Sequence, residues 1–409
     1  MHVVIFEGSR WPSFAPLALN RPVFMLSSGM STLFEKQLRH FRPTRLTLWV
    51  RPELAESVRA RVLSKLTIPC AVNEPLDDEP ATLVSGRTLH LRRFDYPKEP
   101  YAAIGEEGVH NALVQMPGLS PEDGLKRTDK WMKIHDLPNV EPKARIVTQL
   151  SDLISWNDES LIEDSTQLHG KPKPKPTGPF HFINEDDIWL GDNVKIMPGA
   201  VLDASEGPVV LGDNVKVGAN AFIEGPTYIG PFSTVHPMTI IHGGTSIGRF
   251  CKVGGEVDNS IMLGHSNKGH FGFLGHSYVG KWVNFGAGAS TSNLKNTYGE
   301  VSIHVGSKTI PTGRQFFGSL IGDHVKLAIG TRLMTGSYIG FSSMIATSGF
   351  PPTFVPSFTF LTDKGAEPYR LDKAVKVMKA AYSRRDLAWT DADERILEHV
   401  KKSVPQIEG

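Results

Sequence analysis

The 409-residue sequence has little of several features that mark particular classes of protein. Only two cysteines are present, Cys70 and Cys251, which excludes a disulfide framework and a cysteine-rich zinc site. No apolar run approaches the roughly 18 residues that a membrane span needs, and residues 1–11 lack the charged and apolar regions of a signal peptide. Lys plus Arg number 44 and Asp plus Glu 43, so neither nucleic acid nor an anionic membrane is expected as a partner. We expect a cytoplasmic protein of two or three domains.

Glycine, by contrast, is abundant, and after residue 186 it accompanies a six-residue period. Aliphatic residues fall six apart without a break at Leu211, Val217, Ile223, Ile229, Val235, Ile241, Ile247 and Val253. Small or β-branched residues stand four positions after them, at Val215, Ala221, Thr227, Ser233, Thr239, Thr245 and Cys251. The same spacing continues in other phases, at Leu190, Ile196 and Leu202, at Ile261, Phe273, Val279 and Phe285, and at Ile321, Leu327, Leu333, Ile339 and Ile345.

A six-residue period fits neither an α-helix nor an ordinary strand. It predicts a left-handed parallel β-helix over residues 185–350, in which aliphatic residues point inward from three flat sides and each coil buries its apolar face against its neighbours. The phase breaks at 203–208, 254–260 and 286–320 are expected to be outward loops, the usual carriers of function in a solenoid.

The flanking segments have other patterns. Residues 1–165 alternate apolar strands with helices, which predicts an α/β domain with a mostly parallel sheet. The expected elements are strands His2–Phe6, Leu46–Val50 and Ala81–Val84, a helix opened by the capping box Thr32–Glu35, and a helix Glu53–Leu66. A Lys/Pro-rich linker is expected at 166–184. Pro351 and Pro352 are expected to end the solenoid, and the tail 351–409 to form helices at Leu371–Tyr382 and Asp391–Val400.

His270 is the histidine with the most informative surroundings. The motif around it consists of Gly269-His270, then Leu274-Gly275, whose leucine is four residues after the histidine, and then Val283-Asn-Phe-Gly-Ala-Gly288. This stretch resembles the acetyltransferase domain of the bifunctional GlmU family. The N-terminal half resembles divergent GlmU-like bacterial proteins, in which a shortened nucleotidyltransferase-like domain precedes the solenoid; Arg21-Pro-Val23 and Ser85-Gly-Arg87 fit that group.

The resemblance implies acetylation of an amino-sugar phosphate such as glucosamine 1-phosphate, within UDP-N-acetylglucosamine biosynthesis, by a homotrimer. His270 would be the general base, in agreement with the need of an attacking amine to lose a proton. Ala287 would contact acetyl-CoA, the cosubstrate. Substrate contacts are expected from Lys252, Glu256, Lys268, Phe273, Asn284, Asn293 and Lys295. The sequence departs from the family at Asp258, where a phosphate-binding lysine is expected, at Phe273, where a tyrosine is expected, and at Ile329, where a serine is expected.

For the N-terminal domain, Arg10, Arg21 and Lys36 are candidate phosphate ligands for UTP or dTTP, and the alternative is that they are surface charges. Nucleotidyl transfer would also need Mg²⁺ and carboxylates to hold it. No Asp-x-Asp pair occurs in 70–110, and Asp95 is a weak candidate. No protein-bound metal site is predicted.

Two other classes of function stay open on the sequence alone. A γ-carbonic-anhydrase-like zinc enzyme shares the solenoid, and His265 and His270 have the spacing of two of its ligands, but Ile229 falls where the third histidine is expected. A non-catalytic, trimeric nucleotide-binding scaffold is the other alternative.

Overall fold

A computed structural model describes residues 1–170 and 176–409, so the Lys-Pro repeat of the predicted linker, 171–175, lies outside the described residues. Within 1–170 the main sheet has the order Asn139–Val140, Tyr101–Gly105, Gly108–Val114, Ala81–Ser85, His2–Phe6, Arg45–Trp49 and Cys70–Val72. Strand Gly108–Val114 is antiparallel to both neighbours, and the other pairs are parallel. The predicted mostly parallel α/β domain is confirmed.

Short helices cover this sheet. The α-helices are Leu33–Phe41, Ala55–Arg61, Pro121–Lys126, Asp129–Met132, Leu150–Ser155 and Asn157–Ser165. The capping box at Thr32 is present, with Glu35 bonding back to the Thr32 backbone. The helix expected over 53–66 is α-helical only from Ala55 to Arg61 and continues on both sides as 3₁₀ turns.

Three sheets of parallel strands form the β-helix within residues 176–409. The first sheet contains His181–Ile183, Val201–Asp203, Phe222–Glu224, Ile240–Ile241, Glu256–Asp258 and Phe273–Gly275, and Ser290–Thr291 pairs with Arg332–Leu333 beyond it. The second contains Ile188–Leu190, Val209–Leu211, Thr227–Ile229, Thr245–Ile247, Ile261–Met262, Tyr278–Val279, Ser319–Ile321, Ser337–Ile339 and Phe354–Val355. The third contains Lys195–Ile196, Lys216–Val217, Thr234–Val235, Lys252–Val253, Asn267–Lys268, Asn284–Phe285, Lys326–Leu327, Met344–Ala346, Thr359–Thr362 and, antiparallel at its end, Gly365–Pro368.

The inward register differs from the predicted one between residues 254 and 279. Val257, Met262 and Leu274 fill the solenoid core, whereas Ile261 packs outward against the N-terminal domain and Phe273 lies on the outer surface. The cause is a set of short corners: two glycines at 254–255 connect two strands directly, and the inward positions Val257 and Met262, like Leu274 and Val279, are only five residues apart. Residues 254–260 are therefore not a loop, because Glu256–Asp258 is a strand of the first sheet.

The break at 286–320 carries an inserted hairpin, Val301–Val305 and Lys308–Arg314. The solenoid also begins before residue 185 and continues past Pro352, to Thr362. Helices Leu371–Ser383 and Asp391–Glu408 follow. The second of them ends at the solenoid, where Glu408 accepts hydrogen bonds from the Tyr338 hydroxyl at 2.7 Å and the Ser357 backbone N–H at 2.7 Å.

The N-terminal domain packs on the second sheet, and one apolar core includes residues of both. Tyr278 lies in this interface, where its hydroxyl donates to the Ser27 carbonyl at 2.7 Å. The buried Arg21 forms an ion pair with Asp323 of the solenoid. The second sheet is therefore covered within the chain, which leaves the first sheet and part of the third exposed. None of the helices in residues 1–170 and 176–409 is long and apolar enough to cross a membrane.

Candidate functional site

His270 lies exposed at a corner where a strand of the third sheet turns into a strand of the first. We call residues 269–272 the His270 corner. The coil beneath passes the same corner as Gly254–Gly255, and a Cβ on Gly255 would lie 2.6 Å from the Gly272 carbonyl oxygen. Gly255 has φ +76°, a backbone conformation that favours glycine. The two coils can approach each other this closely only because these positions lack side chains.

Lys268 supports this corner from inside the solenoid. It pairs with Val253 in the ladder, occupies an inward position and is 1% exposed. Its ammonium donates hydrogen bonds to the carbonyl oxygens of Gly254 at 2.8 Å, His270 at 3.1 Å and Gly272 at 2.6 Å. Burial lowers the pKa of Lys268 to about 8. One buried cation thus fixes the backbone of both coils at the position of His270.

A second histidine and an exposed ring share the corner. A Cβ on Gly269 would lie 3.3 Å from His236 Nε2, and burial, followed by the charges of Lys252 and His270, lowers the pKa of His236. Phe271 is 73% exposed, and a Cβ on Gly288 in the next corner would lie 3.1 Å from its ring. That next corner contains Ala287, the predicted acetyl-CoA contact, so His270 and Ala287 lie at the same edge on successive coils.

The outer surface of the first sheet continues from the corner with carboxylates and imidazoles. Glu256 and Phe273 are ladder partners on adjacent strands. The His242 ring lies between two carboxylates, 3.2 Å from Glu224 and 3.3 Å from Glu256. This surface offers hydrogen-bond acceptors and negative charge, which suit hydroxyl and ammonium groups better than a phosphate.

Asn293 lies at the other edge of the same sheet. Its amide is 3.0 Å from His276 Nδ1, and Asp258 is 3.4 Å from the same ring nitrogen. Burial lowers the pKa of His276, and the charge of Asp258 opposes this shift. Asp258, at the position where the resemblance implies a lysine, therefore contacts His276.

The other predicted substrate contacts are dispersed. Lys252 and Asn284 lie on the outer surface of the third sheet, in a cleft beneath the first tail helix. Lys295 lies in the insertion and donates to the Glu300 carbonyl at 2.5 Å. The structure thus brings Glu256, Phe273 and Ala287 towards His270, and Lys252 lies beside Gly269 on the third-sheet side of the corner. Asn284 and Lys295 lie elsewhere.

Arg10 lies at the carboxyl ends of the parallel strands, where α/β domains bind ligands. It forms an ion pair with Glu107 at 2.7 Å and lines a cavity of about 260 Å³ together with Arg87 and Arg127. The buried Arg87 donates to the carbonyls of Val147 at 3.1 Å and Glu107 at 3.0 Å, and burial lowers its pKa to about 10. Three arginines therefore surround one cavity.

The remaining candidates of this domain are engaged elsewhere. Lys36 is buried and paired with Asp164 at 2.5 Å, and Arg21 is paired with Asp323 in the domain interface. Asp95 lines a separate cavity with Met1 and His2, at the opposite end of the strands.

The two histidines of the zinc alternative lie at different corners. His265 stacks on Trp282 with ring centroids 4.4 Å apart, and burial lowers its pKa to about 4. Across residues 1–170 and 176–409 no group of three or more His, Cys, Asp or Glu side chains is placed to hold a metal ion.

Sequence reasoning did not predict the contact of His236 with the His270 corner or that of His242 with Glu256, and it gave Lys268 a direct substrate contact. For Lys268 a signal exists. A six-residue step from Met262 reaches Lys268, and a second reaches Leu274, so the lysine occupies the inward phase. For the other residues, no sequence pattern indicates the contacts.

This chain is similar to sugar nucleotidyl transferases and to bifunctional GlmU proteins. Residues 3–171 match the family model of sugar nucleotidyl transferases. A bifunctional sugar-1-phosphate nucleotidylyltransferase/acetyltransferase of Sulfurisphaera tokodaii is 33% identical over 268 residues, which cover 56% of this chain and 65% of that protein. The bifunctional protein GlmU of Synechococcus sp. is 28% identical over 235 residues, 55% of this chain and 44% of that protein. GlmU of Methylococcus capsulatus is 33% identical over 170 residues, 40% and 33% of the two chains.

The matched segments thus span from 33% to 65% of the length of these relatives. Among solved structures, a UDP-N-acetylglucosamine acyltransferase of Francisella novicida matches with a TM-score of 0.30 and 13% identity, over 55% of this chain and 91% of that one. The matches to the curated proteins confirm the predicted resemblance to GlmU-like proteins.

Proposed function

We propose that this chain is a GlmU-like transferase of sugar-nucleotide biosynthesis, whose solenoid transfers the acetyl group of acetyl-CoA to the amine of an amino-sugar phosphate. The observation that carries the proposal is the exposed imidazole of His270 on a backbone corner fixed from within by Lys268. The similarity to a protein named as a bifunctional nucleotidylyltransferase/acetyltransferase supports it.

His270 would accept the proton of the attacking amine. As the nitrogen–carbon bond forms and the carbon–sulfur bond breaks, the thiolate of coenzyme A leaves and receives a proton. A neutral imidazole suits this role near neutral pH. Backbone N–H groups at the corners of successive coils are the proposed donors to the tetrahedral oxyanion. Because Lys268 is buried, we assign it to positioning rather than to direct substrate contact.

The charges around His270 suggest how the acceptor lies. Glu256 and the His242 ring offer partners for the amine and hydroxyl groups on the first sheet. The exposed Lys252, on the third sheet, has its Cβ 4.0 Å from the position of a Cβ on Gly269 of the His270 corner, so we place the phosphate towards that side.

The direct test is to incubate the full chain with acetyl-CoA and glucosamine 1-phosphate and to follow free thiol. Glucosamine and glucosamine 6-phosphate serve as matched acceptors without the 1-phosphate. Thiol release that depends on glucosamine 1-phosphate supports the proposal. If none of the three amines raises thiol release above the rate of acetyl-CoA hydrolysis, the proposal is rejected.

We propose a homotrimer that pairs solenoids along the corner carrying His270. Met197, Met238, Phe271 and Ile329 lie at this same edge of the solenoid, between the third and first sheets, and are 51%, 76%, 73% and 78% exposed. Such a row of exposed apolar side chains is typical of an association surface. We expect mass photometry to give three times the chain mass, and Ile329→Lys to shift the population to monomers. A Tyr298→Lys variant, which changes an exposed ring in the insertion, is the control; a monomeric wild type would contradict the proposal.

For the N-terminal domain we propose binding of a nucleoside triphosphate, UTP or dTTP, in the cavity lined by Arg10, Arg87 and Arg127. Guanidinium groups suit phosphate oxygens. Enzymes with the two activities named for the relatives use acetyl-CoA and a metal ion in general. Three carboxylates line this cavity, and those of Glu7 and Glu107 are each paired with an arginine; this leaves Glu106 and fits Mg²⁺ poorly, and we derive no step through a metal.

We expect Arg10→Gln combined with Arg127→Gln to weaken UTP binding by about tenfold or more, since each charged hydrogen bond contributes about 1.5–3 kcal/mol. Isothermal titration calorimetry would measure this, with and without Mg²⁺. Arg93→Gln, an exposed arginine at the other cavity, is the control. Equal affinity in all three proteins would exclude this cavity as the nucleotide site.

A further inference from the structure

A cleft of about 510 Å³ lies between the third sheet and the first tail helix, Leu371–Ser383. Four of its side chains stand in one line across successive coils, because Lys252 pairs with Asn267, Asn267 with Asn284, and Asn284 with Lys326. At a strand separation of about 4.8 Å this line is roughly 14 Å long. Arg384 and Arg385, just beyond the end of the helix, close the cleft on the other side. We call this the tail cleft.

The tail cleft concentrates positive charge without counter-ions. Lys252, Lys326, Arg384 and Arg385 line it, no Asp or Glu does, and within residues 1–170 and 176–409 none of the four cations forms a salt bridge with a carboxylate. Like charges held together in a partly buried place repel each other unless an anion binds between them.

The hydrogen bonds of these cations leave donors for such an anion. Among the described residues, the Lys326 ammonium has one acceptor, the Trp282 carbonyl at 2.5 Å. In the part of the chain that the structure describes, the hydrogen bonds of Arg385 are long, 3.4 Å to the Phe250 carbonyl and 3.4 Å to Asn267 Oδ1. The Asn267 and Asn284 amides add neutral donors along the line.

We propose that the tail cleft binds the phosphate groups of a ligand that reaches the His270 corner. Asn267 and Asn284 precede His270 and Ala287 by three residues on their own coils, which is about 10 Å along an extended chain. A ligand with phosphates at one end and its reacting group on an extended arm fits this separation. The adenosine phosphates and thioester arm of acyl-CoA have that form; this choice of ligand rests on the proposed acetyl transfer, and a sugar phosphate is the other source of the same chemistry.

Burial lowers the pKa of Lys326 to about 8, and a bound phosphate would raise it again. At pH 8 we therefore expect binding to take up protons. Titration calorimetry in two buffers of different ionisation enthalpy would measure this uptake, and it should disappear in Lys326→Met.

The main experiment compares affinities in calorimetry for coenzyme A, 3′-dephospho-coenzyme A and glucosamine 1-phosphate. The variant Arg384→Gln/Arg385→Gln should weaken at least one of them by about tenfold or more, from the loss of charged hydrogen bonds. The matched control is Lys373→Gln/Lys376→Gln, which removes two exposed charges from the same helix outside the cleft and should bind as the wild type does.

The ligand arms identify the source. If the variant has a lower affinity for coenzyme A but nearly the wild-type affinity for the dephospho form, the cleft binds the 3′-phosphate. If only the affinity for glucosamine 1-phosphate falls, the cleft binds the sugar phosphate. Unchanged affinities for all three overturn the proposal, even if the wild type transfers acetyl groups. Conversely, a weakened affinity in a chain with no acetyl transfer keeps the anion site and rejects the proposed function.

Discussion

Replacing His270 with alanine is expected to lower kcat/KM for acetyl transfer by about 10²–10⁴-fold, the usual contribution of a general base. Without the imidazole, the amine must lose its proton to water as it attacks the thioester. Because the side chain is exposed and its neighbours are held by Lys268, the truncation should leave the fold and the affinity for coenzyme A almost unchanged. Thiol release and calorimetry on the same preparation would separate these effects.

The control is His304→Ala, which removes an exposed histidine of the inserted hairpin whose ring is 3.1 Å from Thr309. It should retain full activity. Because the His270 corner is open to solvent, added imidazole should restore part of the rate in His270→Ala. If His270→Ala were as active as an active wild type, His270 would not be the general base. If neither protein transferred acetyl groups, the alternative of a non-catalytic scaffold would be favoured.

The solenoid could be predicted from the sequence because its contacts follow the chain. Each strand pairs with the equivalent strand of the next coil, as Leu211 pairs with Ile229 and Ile229 with Ile247. A local rule of one inward aliphatic residue per side therefore repeats in the sequence itself. The α/β domain has a similar signal, since its apolar strands alternate with helices.

The errors arise where a tertiary contact or a tight corner replaces that rule. Ile261 appears inward in the sequence, but its side chain is buried against the N-terminal domain, and Met262 fills the core instead. Tyr278 is buried in the same interface. Burial outside the solenoid looks the same in the sequence as burial inside it, so the register cannot be read from hydrophobicity alone.

The candidate site was predictable where its residues are close together in the sequence. His270 could be identified because the motif around it is local and resembles a known family. The tail cleft could not, because Arg385 meets Asn267 across 118 residues of sequence through the packing of a helix. The charges of Arg21 and Lys36 were visible, but their partners Asp323 and Asp164 lie 302 and 128 residues away.

Lys268→Met is expected to lower both stability and activity. Methionine fills much of the same volume in the solenoid core but donates no hydrogen bonds, so the carbonyls of Gly254, His270 and Gly272 lose a buried donor. Each buried carbonyl left unpaired costs about 1–3 kcal/mol, and removal of a buried charge offsets part of this cost. The free energy of unfolding should therefore fall by about 2–4 kcal/mol. The His270 corner would loosen, and kcat should fall by about 10–100-fold.

A pH profile distinguishes positioning of His270 from a merely structural role of Lys268. With a pKa of about 8, the Lys268 ammonium has three N–H donors for three carbonyls at lower pH, and the amine has two above it. We expect kcat of the wild type to decline through pH 8. Because the folded pKa lies below the ordinary value of 10.5, the unfolded chain binds more protons between these values, so this group makes the free energy of unfolding rise with pH there. A loss of kcat over that range is then not explained by unfolding through Lys268.

The matched control is Lys216→Met, which changes an exposed lysine on the outer surface of the same sheet. It should keep the stability, the kcat and the decline through pH 8. In Lys268→Met the decline should be absent, because the titrating group is gone while His270 is still present. Thermal unfolding and kcat measured from pH 6 to 9.5 on the three proteins would decide the matter. If Lys268→Met kept the decline, or lost stability with no change in kcat, Lys268 would support the core without positioning His270.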